Sequence, residues 1–215
     1  MRVVTISAAY GAGGSVVGPA VAERLRIPFL DRAIPEAVAA EIGCSLEAAL
    51  AHDGRTEPGL GRLFAATTRV PNIAIGGLES YLPPQDMVAE EEFVRRTEDL
   101  IGQVADTTGG VILGRGAALV LASRPGVLHV RLTGPENARV LQAMRLHGRD
   151  AESARRRLRE NDRARTAYVK HFYRADPVDP KHYHLVIDST ALPLETVASI
   201  VVTAAEAFQA AVGSV

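Results

Sequence analysis

The sequence predicts an α/β domain: a parallel sheet of five short strands with helices on both faces. Three observations carry this expectation. Short β-branched apolar runs alternate along the chain with longer segments of helical period, the pattern of a parallel sheet covered by its own crossovers. A glycine-rich turn, "YGAGG" at 10–14, joins the first apolar run to the first helical one. The 215 residues are 47% hydrophobic and 23% charged, enough to bury one core, so 1–215 reads as a single domain.

The elements follow in order. Val3-Val4-Thr5-Ile6 is short and β-branched, a buried strand. After the glycines, Val17, Ala20, Val21, Ala22 and Leu25 share one helical face. "IPFLD", 27–31, is a second strand ending at Asp31. Residues 33–52 read as two helical pieces broken near Gly43, with Ser45 capping the second. From 53 to 86 glycine, proline and polar residues interrupt any period, so this segment reads as an insertion.

A helix is expected over 88–106, with Phe93, Leu100, Ile101 and Val104 near one face. "GGVILGRG", 109–116, is a strand running into a glycine-flanked arginine, and "VLHVRL", 127–132, another strand. Pro135 suits the first turn of a helix reaching about His147. A basic helical stretch covers 151–174; its aromatic-basic end, meeting prolines, suggests a closing flap more than one continuous helix. "YHLVIDST", 183–190, is the last strand and 193–212 the closing helix.

The formal net charge is −1, so no global field draws the chain toward nucleic acid or a membrane, and neither is an expected partner. The single cysteine, Cys44, excludes an internal disulfide and a cysteine metal cluster, which suits a reducing cytoplasm. The run 3–6 is too short for a signal peptide, and Glu195 and Glu206 interrupt 191–212, so no membrane span is expected.

A phosphate held at a strand-to-helix turn needs bare backbone N–H groups, which glycines expose and the helix dipole assists. Gly11, Ala12, Gly13, Gly14 and Ser15 fit that role. Against the pattern G-x-x-x-x-G-K-[ST], Gly13 matches the second glycine and Ser15 the Mg²⁺-binding hydroxyl. Ala8 stands at the first glycine and Gly14 at the lysine. Against G-x-G-x-x-G, Gly11 and Gly13 match and Val16 replaces the third glycine. The alternative is a tight turn without a ligand.

Phosphoryl transfer rests on positioning and charge neutralisation, so a loop without lysine needs cations from elsewhere. The stretch 154–174 supplies Arg155, Arg156, Arg157, Arg159, Arg163, Arg165, Lys170 and Arg174 against Glu160 and Asp162. Arg155, Arg159 and Arg163 share a helical face. A solvated helix face and an RNA-binding patch are the competing readings. Arg115 ends the 111–114 strand, where parallel sheets gather ligands; it either grips an anion or pairs with a carboxylate such as Asp31.

Taken together, "TISAAYGAGGSVVG", "IPFLDRAI", "GGVILGRGAALVL", "RPGVLHVRLTGPENAR" and "RENDRARTAYVKHFYRADPVDPKHYHLVIDST" resemble the cytidylate kinase-like family of the P-loop nucleoside monophosphate kinases, over nearly the whole chain. The resemblance implies a three-layer P-loop NTPase fold with a monophosphate-binding insertion (53–86) and an arginine-bearing lid (151–178). It implies that Gly11, Gly13, Gly14 and Ser15 wrap the donor phosphates. Asp31 and Arg32 begin the monophosphate region, and Arg115 grips the acceptor phosphate. Asp162 and Arg165, the D-x-x-R of "NDRAR", address the acceptor nucleotide. Arg159 and Arg163 reach the transferred phosphoryl, and Asp188, Ser189 and Thr190 lie near the donor base.

Departures from the family pattern stand beside it. "AAYGAGGSV" replaces a common "REYGSGGRE"; Gly14 replaces the lysine of true cytidylate kinases, and Leu113 an aspartate before the "GR". Loss of one preorganised charge costs roughly 10²–10³ in rate.

Three functions follow. One is a kinase moving the γ-phosphoryl of ATP, with Mg²⁺, to CMP or dCMP. Another is a catalytically degenerate sensor of a nucleotide or phosphorylated ligand, as a homodimer. The third is an NAD(P)-dependent oxidoreductase with Asp31 as ribose acid; it leaves the arginines without a role.

Overall fold

A computed structural model describes residues 2–31 and 85–212. Arg32, the helical pieces expected over 33–52 and the insertion as far as 84 lie outside the described residues. The described elements are β1 (Val3–Ala8), α1 (Gly14–Leu25), β2 (Phe29–Leu30), α2 (Gln85–Asp106), β3 (Gly110–Leu113), α3 (Ala117–Val120), β4 (Val127–Thr133), α4 (Glu136–His147), α5 (Ala151–Tyr173), β5 (Leu185–Asp188) and α6 (Leu194–Val212).

The five strands lie in the order β2-β3-β1-β4-β5, every pair parallel. β1 is central because it is apolar on both faces. Val4 and Ile6 join Val17, Val21 and Leu25 of α1 and Val197 and Val201 of α6 in one core. Val3, on the opposite face, joins Ile112, Val127, Leu121 and Ile101 of α2 in a second. Further along that second face the sheet turns polar: Thr5 and Ser7 stand in register with His129 and Arg131. Ser7 and Ala8 pair with Arg131 and Leu132, so β1 runs two residues beyond the expected strand.

α5 corrects the expectation of a broken flap: it is continuous from Ala151 to Tyr173. Asp150 caps it by accepting from the Ser153 amide at 2.8 Å. Ala154, Leu158 and Val169 supply its buried positions, the first two packing on Val140 and Ala143 of α4. Arg174 closes it in the left-handed region at φ 49°, so Pro177 and Pro180 fall past the cap and break nothing. Pro135 is the residue before α4 and not its first turn.

Residues Leu194–Ala211 are long and apolar enough to cross a membrane, with mean hydropathy 1.2. Here the helix lays Val197, Ala198, Val201 and Ala205 into the first core. Glu195 at its start pairs with Arg24 of α1, as suits a helix covering a sheet.

Candidate active site

The turn from β1 to α1 is shaped by its carbonyls. Each carbonyl from Ala8 to Gly13 accepts a hydrogen bond. Arg165 donates to Ala8, the Ala12 amide to Ala9 at 3.0 Å and Arg139 Nη1 to Tyr10 at 3.0 Å. Gln142 Nε2 donates to Gly11 at 3.0 Å, Ser189 Oγ to Ala12 at 2.7 Å, and the Val16 and Val17 amides to Gly13. By contrast, the amides of Gly11, Gly13, Gly14 and Ser15 donate to nothing among the described residues. They sit at the N-terminus of a twelve-residue helix, where unfilled donors and the helix dipole favour an anion.

Glycine is required at two of these positions. Gly11 and Gly13 have φ of +77° and +75°. A Cβ on Gly11 would run into the Arg139 carbonyl, and one on Gly13 would meet Leu194 Cδ2 at 2.6 Å. Gly14 is different: its backbone is helical, but a Cβ there would lie 2.5 Å from Ala8 Cβ and 3.1 Å from Leu113 Cδ1. Ala8 departs from the loop common in the family, and Gly14 and Leu113 from the true cytidylate kinases; in space the three are one packing arrangement. The Ala8 methyl and the Leu113 side chain occupy the ground a lysine at 14 would need.

Asp162 and Arg165, both on α5, face the loop. Asp162 accepts from the Tyr10 amide at 3.2 Å and pairs with Arg139 Nη1 at 2.7 Å. Arg159 and Arg163 are exposed and make no hydrogen bond or ion pair with the loop. Ser189 is fully buried, spending its hydroxyl on the loop. Asp188 is exposed; hydrogen bonds from the Thr190 hydroxyl (2.6 Å) and amide (3.0 Å) hold its carboxyl below the ordinary carboxylate range.

Beyond β3 lies a cleft of about 520 Å³, floored by β1 and roofed by α5. Arg115, Arg165, Asn161, Tyr168, His171 and Tyr183 contribute its polar lining, and no carboxylate lines it among the described residues. The turn at 11–15 does not line it. Arg115 sits in the left-handed region at φ 57°, its side chain 2% exposed. It donates to the Asp31 carbonyl, with the Asp31 carboxylate at 3.8 Å, so the pair envisaged from the sequence is made at the cleft wall. Gly116 leaves room for the Tyr173 ring, whose Cε2 would lie 2.7 Å from any Cβ there. Burial and the neighbouring Tyr168 push the Tyr173 phenol far up, so it stays neutral.

Ser15 is exposed, and no cluster of three or more His, Cys, Asp or Glu side chains able to hold a metal occurs among the described residues. One hydroxyl without a neighbouring carboxylate does not make a magnesium site. Arg139 and Gln142, which fix the loop, were not singled out by the sequence. Their only local signal is polar residues beside the buried Val140 and Ala143 of α4.

Comparison with known proteins agrees with this layout. The uronate isomerase of Corynebacterium glutamicum is 32% identical over 118 residues, 54% of this chain and 22% of that protein; the chain thus spans about a fifth of the curated relative it matches. An uncharacterized protein from Eubacterium ventriosum has a similar structure, with TM-score 0.67 and 16% identity, covering 96% of this chain and 99% of that one. Shikimate kinase from Acinetobacter baumannii shares the fold at TM-score 0.50 and 16% identity, over 95% and 92% of the two chains. The order and parallel direction of the five described strands belong to that shared fold. Residues 3–191 match the cytidylate kinase-like family, and the chain belongs to it.

Proposed function

We propose that the protein is a nucleoside monophosphate kinase-like phosphotransferase, moving the γ-phosphoryl of ATP to CMP or dCMP in the cytoplasm. The observation that carries this reading is the division of the loop's polar groups. Its carbonyls are all engaged, those of Ala8, Tyr10, Gly11 and Ala12 by side chains from outside, and the amides of Gly11, Gly13, Gly14 and Ser15 are left for an anion. The donor polyphosphate would rest on those amides. The acceptor would enter the cleft, its phosphate facing Arg115 and Arg165. In-line transfer between two bound anions needs orientation and charge neutralisation and no protein nucleophile.

In this reading α5 is the lid, and Asp162 and Arg165 dock it on the loop without ligand. Arg159 and Arg163 would reach the phosphoryl group only if nucleotide turned that helix. Magnesium would arrive with ATP as its counter-ion. Asp31 holds Arg115; Arg32 and the insertion at 53–86 would complete the acceptor side.

A second reading, a non-catalytic sensor of a nucleotide or phosphorylated ligand, is favoured by one observation: Ala8 and Leu113 fill the space of the missing lysine. Coupled ADP release separates the two, with CMP, dCMP, the other monophosphates and, given the name of the Corynebacterium relative, a hexuronate as acceptors. Turnover with a monophosphate is the expected result. Nucleotide binding without turnover of any acceptor at high enzyme concentration overturns the kinase reading in favour of the sensor.

A further inference from the structure

Behind the wall of the cleft lies a guanidinium with no carboxylate beside it among the described residues. Arg131 of β4 is 6% exposed. Its Nη1 donates to the Pro177 carbonyl at 2.6 Å and to Ser7 Oγ at 3.4 Å, and its guanidinium carbon lies 5.6 Å from the centre of the Tyr183 ring. Those bonds occupy both Nη1 hydrogens; Nε and Nη2 donate to nothing among the described residues. Two neighbouring arginines at this sheet edge have acids: the buried Arg115 has Asp31 and the partly buried Arg139 has Asp162. Arg131 has neutral oxygens and an aromatic face.

A buried charge so placed is costly to the empty protein, because neutral dipoles replace hydration only in part. Fastening the 174–184 segment does not require the charge. The Tyr183 hydroxyl already donates to the same Pro177 carbonyl at 2.8 Å, and an uncharged amide would serve equally. What distinguishes the position is its surroundings: Ser7, Pro177 and Tyr183, which its guanidinium meets, line the cleft, where no carboxylate competes among the described residues. An anion entering there supplies the missing counter-charge.

We propose that Arg131, with Ser7 and Tyr183, forms an anion-binding site in the inner wall of the cleft, taking a phosphate or carboxylate oxygen of the acceptor. The site rests on the reading of this cleft as the acceptor side. It adds to Arg115 and Arg165 a contact that neither the glycine loop nor the D-x-x-R segment provides. Nε and Nη2 are its free donors; Ser7 Oγ accepts from Nη1 and lies 3.3 Å from the Tyr183 hydroxyl, so both hydroxyls hold the guanidinium in place.

Thermal shift and calorimetry on the full chain test it, with inorganic phosphate, CMP, cytidine and glucuronate as probes, on wild type, Arg131→Met and Arg131→Gln. Both variants should melt no lower than wild type without ligand, since each removes an uncompensated buried charge. Both should bind the effective anion at least tenfold more weakly, with cytidine giving no response in any of the proteins. Loss of the CMP and phosphate responses identifies a phosphate ligand; loss of the glucuronate response identifies a carboxylate. The proposal is overturned if the anion responses survive in both variants, if no anion stabilises the wild type, or if both variants fail to fold. ADP release keeps this test apart from the kinase reading. Turnover with an unchanged acceptor KM in Arg131→Gln removes the site and leaves the kinase. Loss of anion binding in a protein without turnover removes the kinase and leaves the site.

Discussion

Two regions meet at the carboxyl edge of the sheet and handle charge in opposite ways. The β1–α1 turn offers an anion bare peptide amides and no side-chain cation; its glycines are packed so closely that two of them tolerate no side chain. The cleft under α5 is walled or backed by the guanidiniums of Arg115, Arg131 and Arg165, with no carboxylate in its lining among the described residues. In a lysine-bearing loop, cation and amides share one short segment. Here they are separated, and the loop's rigidity comes from α4, α5 and the turn after β5, which clamp its carbonyls. The loop keeps its shape without a lysine because other elements hold its backbone.

The largest effect should come from Gly11→Ala. The left-handed backbone and the Arg139 carbonyl in its path together cost about 2–5 kcal/mol, read by denaturant unfolding. Gly14→Lys alone should lower stability by about 1–3 kcal/mol without strengthening triphosphate binding, because its Cβ meets Ala8. Adding Ala8→Gly should recover part of the loss and tighten triphosphate binding. If the single change alone tightens binding at no cost in stability, the packing explanation for the missing lysine is wrong. Ser189→Ala leaves the buried Ala12 carbonyl without its side-chain donor and should cost about 1–2 kcal/mol, with weaker polyphosphate binding.

A pH-dependent effect lies below both regions. Burial, and then repulsion from the stacked His184, lower the His129 pKa from 6.5 to about 4. The unfolded chain therefore binds a proton there before the folded one does. Stability from this site is full above pH 6.5 and is lost as pH falls toward 4. His129→Phe should flatten that part of the profile, measured as melting temperature against pH. An unchanged slope would assign the acid sensitivity to other groups.

Much of the fold was legible because it is written in local periods. The five apolar runs, the glycine turn and the helical stripe from Val17 to Leu25 all appear as elements close to the expected ranges. The continuity of α5 was misread because an aromatic-basic run beside prolines looks like a break, whereas those prolines lie beyond the Arg174 cap. The clamps were out of reach for another reason. Gln142 is 131 residues from Gly11 and Ser189 is 177 from Ala12, and no period within a helix or strand encodes a bond of that separation. Gly14 was read as a missing lysine; that Ala8 and Leu113 stand in the same space becomes visible only when β1, β3 and α1 are packed together.

The central claim is that peptide amides, fixed from behind, hold a polyphosphate in this loop without an ammonium group. Its most direct test is a pyrophosphate titration followed through the backbone ¹H–¹⁵N resonances of Gly11, Gly13, Gly14 and Ser15. Saturable shifts at those four amides, larger than at Ala9 and Ala12, whose N–H groups are already engaged, are the predicted result. Amides that stay still while the folded protein binds pyrophosphate elsewhere, or not at all, would contradict it.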